Sequence, residues 1–214
     1  MIDLPKTKYC HLNIKNDWLA ISLDNDKKKN ALSATLIDEI IKVLDIAGKS
    51  KQIRGILIKG KNGIFCSGAD LEELHQITYG KENREELTTR MSIRIGHLLQ
   101  TISNVPQITA SVVDGPCIAG GFGIACATDI MITMDNSIFK LSETQLGLTP
   151  AQIAPYILNR VNYSQARLLM LLGDKIDGKI AHEMGLADYL VTSDSEIEKV
   201  IKKIKLKVNK SSPY

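Results

Sequence analysis

The sequence has 214 residues, of which 44% are hydrophobic and 24% charged, and this balance predicts a single domain over residues 1–214 with a buried core. The formal net charge is only +3, and no nucleic-acid-binding motif accompanies the scattered lysines, so we expect no nucleic-acid partner. The longest apolar stretch, around residues 112–132, is interrupted by Gly, Pro and Asp, so we expect no membrane span.

The first third of the chain alternates strand-like and helix-like patterns. WLAISL (Trp18–Leu23) predicts a strand, and residues 31–48 predict a helix that ends at a glycine. RGILIKG (54–60) predicts a second, buried strand, which is followed by the loop KNGIFCSGAD (61–70). Asp70 is predicted to cap the helix that LEEL begins. The apolar residues of the first helix recur at helical spacing: Leu36, Ile40, Ile41, Val43 and Leu44.

The rest of the chain continues the alternation. A long helix is predicted over residues 85–102 and ends before Pro106. QITASVVDG (107–115) predicts a strand that leads through a Gly-rich turn into the apolar helix GGFGIACAT (120–128). Residues 130–141 predict two short strands. Further helical patterns cover residues 155–173, 178–184 and 195–208. The alternation of strands and helices indicates the α/β class.

Two glycine-containing segments follow predicted strands. The Gly120–Gly121 pair begins a helix, where free backbone N–H groups and the helix dipole favour a negatively charged atom. Such a pair is also typical of close helix packing alone. In FCSGAD, Gly68 and Ala69 follow another strand, so a second N–H group could point to the same place. Two such donors would form an oxyanion hole.

The cysteines and histidines suggest neither a disulfide framework nor a metal site. Cys10, Cys66, Cys117 and Cys126 form no CxxC pair and follow no secretory leader, so we expect a cytoplasmic protein without a thiol nucleophile. The histidines show no metal-ligand spacing, so no metal is expected. They are His11, His75, His97 and His182.

Three blocks together resemble the crotonase (enoyl-CoA hydratase/isomerase) superfamily: FCSGAD, VVDGPCIAGGFGIACATDI and FKLSETQLGLTP. The resemblance extends to DNDKKKNALS and to GDKIDGKIAHEMGLADYLV. It implies a crotonase-like spiral of repeated ββα units that assembles as a homotrimer or a dimer of trimers. It also implies an acyl-CoA substrate of the kind found in fatty acid metabolism. Coenzyme A is then part of the substrate, and no separate cofactor is expected.

The resemblance also assigns roles to residues. The backbone N–H groups of Ala69 and Gly120 match the oxyanion hole. Residues 27–29 could lie near the coenzyme phosphates, or they could form a solvated turn. The resemblance implies substrate binding by eight residues: Lys29, Ala31, Leu32, Ser67, Gly68, Asp70, Leu71 and Gly121. For Asp70, the N-cap role is the better interpretation.

Of the two catalytic glutamates in the family pattern, this chain has one, and a glycine stands at the place of the other. Hydratases of this superfamily characteristically use two glutamates. Glu143 matches the second, whereas Gly123 stands at the place of the first and would leave room for a larger or branched acyl group. A single carboxylate admits an isomerase as well as a hydratase. We expect a hydratase, with a substrate that could be branched like methylglutaconyl-CoA; Thr149 and Gln152 could contact substrate or water.

Two expectations concern the acyl pocket and the end of the chain. The superfamily places the helix of Met91, Ile95, Leu98 and Leu99 beside the acyl pocket, although core packing is the better interpretation of these residues. Most members continue with further helices, so we expect this chain to lack the usual C-terminal helices. A non-catalytic CoA-binding protein is therefore the remaining alternative.

Overall fold

The computed structural model describes residues 2–80 and 83–211, except for the side chains of Leu71 and Thr78. Nine strands are defined within these ranges: β1 Cys10–Lys15, β2 Trp18–Leu23, β3 Gly55–Gly60, β4 Ile108–Val113, β5 Pro116–Ile118, β6 Ile130–Met134, β7 Ile138–Lys140, β8 Ile176–Asp177 and β9 Tyr189–Val191. The same ranges contain eight α-helices: α1 Ala34–Gly48, α2 Leu71–Tyr79, α3 Arg84–Asn104, α4 Gly120–Ala127, α5 Ala154–Leu158, α6 Tyr163–Leu172, α7 Gly178–Glu183 and α8 Asp194–Val208.

The strands form two sheets. The larger sheet has the order β1-β2-β3-β4-β6-β9, and all its neighbouring pairs are parallel except β1 with β2. The smaller sheet has the order β5-β7-β8. Along the chain, β4 in the large sheet is followed by β5 in the small sheet and then by α4, and β6, β7 and α5 repeat this course. The predicted repeat of two strands and a helix is therefore present.

Both faces of the large sheet are covered. In β3, Ile56 and Ile58 point into the main core, whereas Leu57 points to the opposite face, as the two-residue period of a strand requires. Helices α1, α3 and α4 contribute to the main core. On the other face, Ile197 and Ile204 of α8 pack with the outward-facing residues of the sheet.

Side-chain caps fix where several helices begin. The Ser33 hydroxyl accepts a hydrogen bond from the Leu36 N–H (3.3 Å) at the start of α1. Asp70 does the same for the Glu72 N–H (2.9 Å) at the start of α2, as predicted. Asn162 caps α6 by accepting from the Gln165 N–H (3.0 Å). This last cap divides the helical pattern predicted over residues 155–173 into α5 and α6.

Candidate active site

The two glycine-containing segments meet in the structure. Cys66 forms a parallel bridge with Cys117 in β5. The Cys66 N–H donates to the Pro116 carbonyl (3.0 Å), and the Ile118 N–H donates to the Cys66 carbonyl (2.9 Å). These bonds bring the loop after β3 against the strand that leads into α4, so residues distant in sequence become neighbours.

The first segment presents the Ala69 amide. Gly68 has a φ of +90°, and a Cβ there would lie 3.0 Å from the Cβ of Ala119. The Gly68 carbonyl accepts from the Leu32 N–H (2.8 Å), which ties the loop to the segment before α1. Among the hydrogen bonds of the described residues, none is donated by the Ala69 N–H. Ala69 therefore offers a free backbone donor.

The second segment presents the Gly120 amide. Ala119 adopts φ 49° and ψ −117°, its N–H donates to the Lys140 carbonyl (2.8 Å), and its carbonyl accepts from the Gly123 N–H (3.0 Å). This sharp turn starts α4 at Gly120, whose N–H precedes the first helical hydrogen bond. All eight residues of α4 are buried, so the positive end of its dipole acts in a poorly solvated place.

Leu32 lies beside both amides. It is paired with Ala69 in an isolated bridge. A Cβ on Gly120 would lie 2.6 Å from Leu32 Cδ1, so it would displace the end of that side chain. Two free N–H groups on adjoining segments can hold one carbonyl oxygen and stabilise the negative charge that develops on it.

Glu143 presents a buried, titratable carboxyl group. It directly precedes a short 3-10 turn after β7, and its carbonyl accepts from the N–H groups of Leu146 and Leu148, both at 2.9 Å. Its Oε2 is buried without a hydrogen-bond partner among the described residues. Burial raises the pKa of this carboxyl group above its usual range. A buried, unpaired and titratable group is typical of a functional site.

A cavity of about 160 Å³ adjoins Glu143. Its walls are the loop of residues 148–153 and one face of α3 that includes Met91, Ser92 and Ile95. Gln152 crosses between these walls, and its Nε2 donates to Ser92 Oγ (3.1 Å). The structure thus provides two backbone amides on adjoining segments, and a buried carboxyl group that lines a small cavity.

The sequence model of the family described as Enoyl-CoA hydratase/isomerase matches residues 13–213 of this chain. The chain belongs to the enoyl-CoA hydratase/isomerase family. Enoyl-CoA hydratase ACTT6 of Alternaria alternata is 32% identical over 184 residues, which are 86% of this chain and 59% of that protein. The mitochondrial methylglutaconyl-CoA hydratase of Homo sapiens is 30% identical over 189 residues, 87% of this chain and 54% of that protein. The chain thus spans less than two thirds of the length of these two relatives.

Solved structures show the same fold. Pseudomonas aeruginosa AtuE superposes with a TM-score of 0.91 at 28% identity, covering 96% of this chain and 79% of its own. An enoyl-CoA hydratase/isomerase from Marinobacter aquaeolei superposes with a TM-score of 0.89 at 26% identity, covering 96% and 78%. The predicted family and the predicted crotonase-like fold are confirmed.

Several residues expected to bind substrate lie in or beside the segments that contain Ala69 and Gly120. Ala31 and Leu32 are buried, whereas Lys29 is exposed in a left-handed turn and its carbonyl accepts from the Ser67 N–H (3.1 Å). The Ser67 hydroxyl donates to the Lys28 carbonyl (3.3 Å). These contacts bring together the two segments for which the sequence predicted substrate binding. The side chain of Leu71 lies outside the described part of the chain.

Asp70 and Gly121 have structural partners of their own. The Asp70 side chain is almost fully buried, caps α2 and forms an ion pair with Lys28 Nζ (2.7 Å). Lys28 also contacts Glu72 (2.6 Å), so this member of residues 27–29 is already neutralised by carboxylates. A Cβ on Gly121 would lie 2.6 Å from Cys66 Cβ, so this glycine is required for packing of the two segments. Their predicted contacts with substrate stay predictions.

Gly123 does not provide the expected space. A Cβ there would lie 3.0 Å from Ile153 Cγ1 and 3.1 Å from Leu99 Cδ1. The expectation of room for a larger acyl group beside Gly123 is therefore wrong, because side chains from α3 and from the loop before α5 fill that volume. Met91 and Ile95 line the Glu143 cavity, whereas Leu98 and Leu99 belong to the core.

Sequence reasoning missed Ser92 and Arg160. Ser92 lies in α3 next to Met91 and three residues before Ile95, so helical spacing could have placed it in the pocket wall. Arg160 binds the far end of α4: its guanidinium donates to the carbonyls of Cys126 (3.1 Å) and Thr128. No sequence pattern signalled this contact.

The cysteines of this chain are unsuited to thiol chemistry. All four cysteines are buried, and burial raises the pKa of Cys66 to about 12, so its thiol stays protonated near neutral pH. Within residues 2–80 and 83–211, no cluster of three His, Cys, Asp or Glu side chains is arranged to hold a metal ion. No helix in these ranges has the length and apolar character needed to cross a bilayer.

Proposed function

We propose that this chain hydrates enoyl thioesters of coenzyme A, with Glu143 as the acid–base and with the N–H groups of Ala69 and Gly120 as the oxyanion hole. The observation that carries the proposal is the buried, unpaired Oε2 of Glu143 beside a small cavity. A carboxyl group in this state gains stabilisation only when a ligand or water bonds to it.

One carboxylate suffices for both proton transfers of the hydration reaction. The Glu143 carboxylate takes a proton from water while the water oxygen bonds to the β-carbon of the enoyl thioester. The electrons of the double bond move to the thioester oxygen, and the amides of Ala69 and Gly120 stabilise the resulting enolate. The α-carbon then takes the proton from Glu143, which returns to its ionised form. The product is the 3-hydroxyacyl thioester.

The names of the relatives support the hydratase direction. The Alternaria alternata and human proteins are described as hydratases. A Bacillus subtilis relative is described as the bacillaene synthase dehydratase PksH. It is 29% identical over 190 residues, which are 89% of this chain and 70% of that protein. Addition and removal of water are the two directions of one reaction. They require the same acid–base and the same enolate stabilisation.

A second candidate is a double-bond isomerase. Glu143 is the one carboxylate that lines the cavity in the described part of the chain, and the position of a second glutamate is Gly123, which is packed tightly. One carboxylate suffices to remove a γ-proton and return it at the α-carbon. The competing class is a non-catalytic protein that binds CoA esters.

The test is turnover of a panel of enoyl-CoA esters by the parent chain and by Glu143→Gln. We expect Glu143→Gln to lower kcat by about a hundred- to ten-thousandfold, because it keeps the shape but cannot accept a proton. Affinity for a saturated acyl-CoA should change far less. Mass spectrometry separates the reactions, since only hydration makes the product heavier by one water.

Glu198→Gln is the matched control, because Glu198 is exposed on α8. It should leave turnover unchanged. An equal loss of affinity and turnover in Glu143→Gln would make Glu143 a binding residue. A parent chain that binds acyl-CoA without turnover would establish the non-catalytic alternative.

A further inference from the structure

The charges in the walls of the Glu143 cavity bear on which acyl chains it can receive. In the described part of the chain, none of the side chains lining it is a lysine, arginine or histidine. Among the described side chains that line the cavity, the charged one is Glu143, and the others end in apolar, hydroxyl or amide groups. Nothing described in these walls could therefore form an ion pair with a carboxylate at the end of an acyl chain.

Gln152 is held in a defined place in this wall. Its Nε2 donates to Ser92 Oγ (3.1 Å). Its Oε1 lies directly against α3 at Gly96, where a Cβ would come within 2.4 Å of that oxygen. The absence of a side chain at Gly96 gives the carboxamide its room, and Ser92 fixes its orientation. This part of the cavity wall is thus a neutral polar group.

A second carboxylate in this cavity would be unfavourable. Glu143 is already half-buried with one oxygen unpaired, and a nearby like charge would be poorly screened in so small a space. An uncharged chain meets no such penalty and can pack against Met91 and Ile95.

We propose that the Glu143 cavity selects acyl chains without a terminal charge and that Gln152, positioned by Ser92 and Gly96, determines this selectivity; this rests on the proposed function, because it takes the cavity as the acyl site. The selectivity distinguishes this chain from a hydratase for methylglutaconyl-CoA, whose acyl group ends in a carboxylate. The substrate class is an enoyl-CoA with a neutral tail.

The experiment is calorimetric titration with two saturated thioesters that cannot react. Valeryl-CoA and glutaryl-CoA have the same chain except that a methyl group in the first is a carboxylate in the second. We expect the parent chain to bind valeryl-CoA at least about tenfold more tightly. Gln152→Arg should reduce or reverse this ratio by supplying a cation, and Gln152→Lys provides the same charge on a more flexible stem should the arginine variant fail to fold.

Gln100→Arg is the matched control, since Gln100 is exposed on α3, the helix that carries Ser92, and does not line the cavity. It should leave the ratio unchanged, which excludes a general effect of added charge. Equal binding of the two esters by the parent, or tighter binding of glutaryl-CoA, overturns the selectivity while leaving the proposed function in place. An unchanged ratio in both folded Gln152 variants overturns the role of Gln152. Binding of neither ester above free coenzyme A contradicts the proposed function itself.

Discussion

Among single residues, Ala119 has the most unusual backbone in the site. Its φ of 49° and ψ of −117° cost an L-residue about 1–3 kcal/mol, and such conformations persist only where the surroundings enforce them. Here the bonds to Lys140 and from Gly123 hold the turn on both sides. The result is a helix that begins abruptly at Gly120, whose N–H precedes the first helical hydrogen bond.

The Gly120 donor can be tested with two substitutions at one position. Gly120→Ala keeps the N–H, and its Cβ meets only the flexible end of Leu32 at 2.6 Å, which can move. Gly120→Pro removes the N–H. We expect kcat/KM for an enoyl-CoA to fall at least about a hundredfold further in the proline variant than in the alanine variant. Circular dichroism must show that both variants fold, and equal activities would refute the assignment.

The burial of Glu143 has a consequence for stability. Its pKa is raised in the folded protein, so the unfolded chain loses this proton at lower pH than the folded chain does. Stability therefore falls as pH rises from the ordinary pKa through the raised one. Glu143→Gln removes this cost, and we therefore expect it to raise Tm at pH 7 above that of the parent chain.

The pH dependence separates this effect from a general gain in packing. At about pH 3, well below the ordinary pKa of a glutamate, the carboxyl group is protonated in both states, so the advantage of Glu143→Gln should vanish. Thermal unfolding of the parent, Glu143→Gln and the exposed Glu198→Gln at both pH values measures it. A gain of the same size at both pH values would show that ionisation of Glu143 is not its cause.

Among the elements, α4 determines the geometry of the site. Its eight residues are all buried, its first amide is the one that we propose for the oxyanion hole, and Arg160 binds carbonyls at its far end. Its glycines allow neighbours to approach: Gly121 lies against Cys66, and Gly123 against Leu99 and Ile153. A helix fixed in this way can hold the Gly120 N–H in place during a reaction.

Packing around α4 gives a prediction for Gly123. A Cβ at 3.0–3.1 Å from Ile153 and Leu99 is tight on two sides, so Gly123→Ala should destabilise the protein by about 1–3 kcal/mol in urea unfolding. Gly123→Glu is therefore expected to disrupt α4 rather than to add a working second carboxylate. The double variant Gly123→Ala with Leu99→Ala should lose less free energy of unfolding than the two single variants together. The shortened side chain at position 99 gives the added Cβ room, and the added Cβ fills part of the space that Leu99 leaves. Strict additivity would show that Leu99 is not the obstacle.

The sequence predicted those elements that carry their own periodicity. Helices α1, α3 and α8 and strands β2 to β4 lie within a few residues of their predicted positions. β5 and β9 have three residues each, too few to show a pattern, and they exist because neighbours pair with them, as Cys117 does with Phe139. The family resemblance matched both Ala69 and Gly120 to an oxyanion hole, but it did not show how the two segments meet. The bridge between Cys66 and Cys117 brings these segments together.

At the scale of the whole molecule, the sheet joins two unequal cores. The main core contains α1, α3 and α4, and α8 closes the other face. Arg54 connects distant parts of the chain, since its guanidinium donates to the carbonyls of Val208 and Ser211, both at 2.7 Å. The start of β3, which leads to the Ala69 segment, is thereby attached to the end of α8.

The surface of α6 predicts self-association. Leu168, Leu171 and Leu172 are each more than half exposed, and their spacing places them on one side of the helix. Single exposed leucines are ordinary, whereas a cluster is typical of an interface. Since the superfamily resemblance implies trimers, we expect a second copy of the chain to cover this patch and a trimer, or a multiple of it, at micromolar concentration.

Sedimentation velocity tests this with charge placed at matched sites. Leu168→Glu combined with Leu171→Glu should shift the protein towards monomer, because burying two carboxylates in an apolar contact is costly. Leu206→Glu is the control, since Leu206 on α8 is as exposed as Leu168, 57% in each case, and is not part of the α6 patch. A parent chain that sediments as a monomer would contradict the prediction of a trimer. Dissociation by Leu206→Glu to the same extent would place the interface elsewhere than on α6.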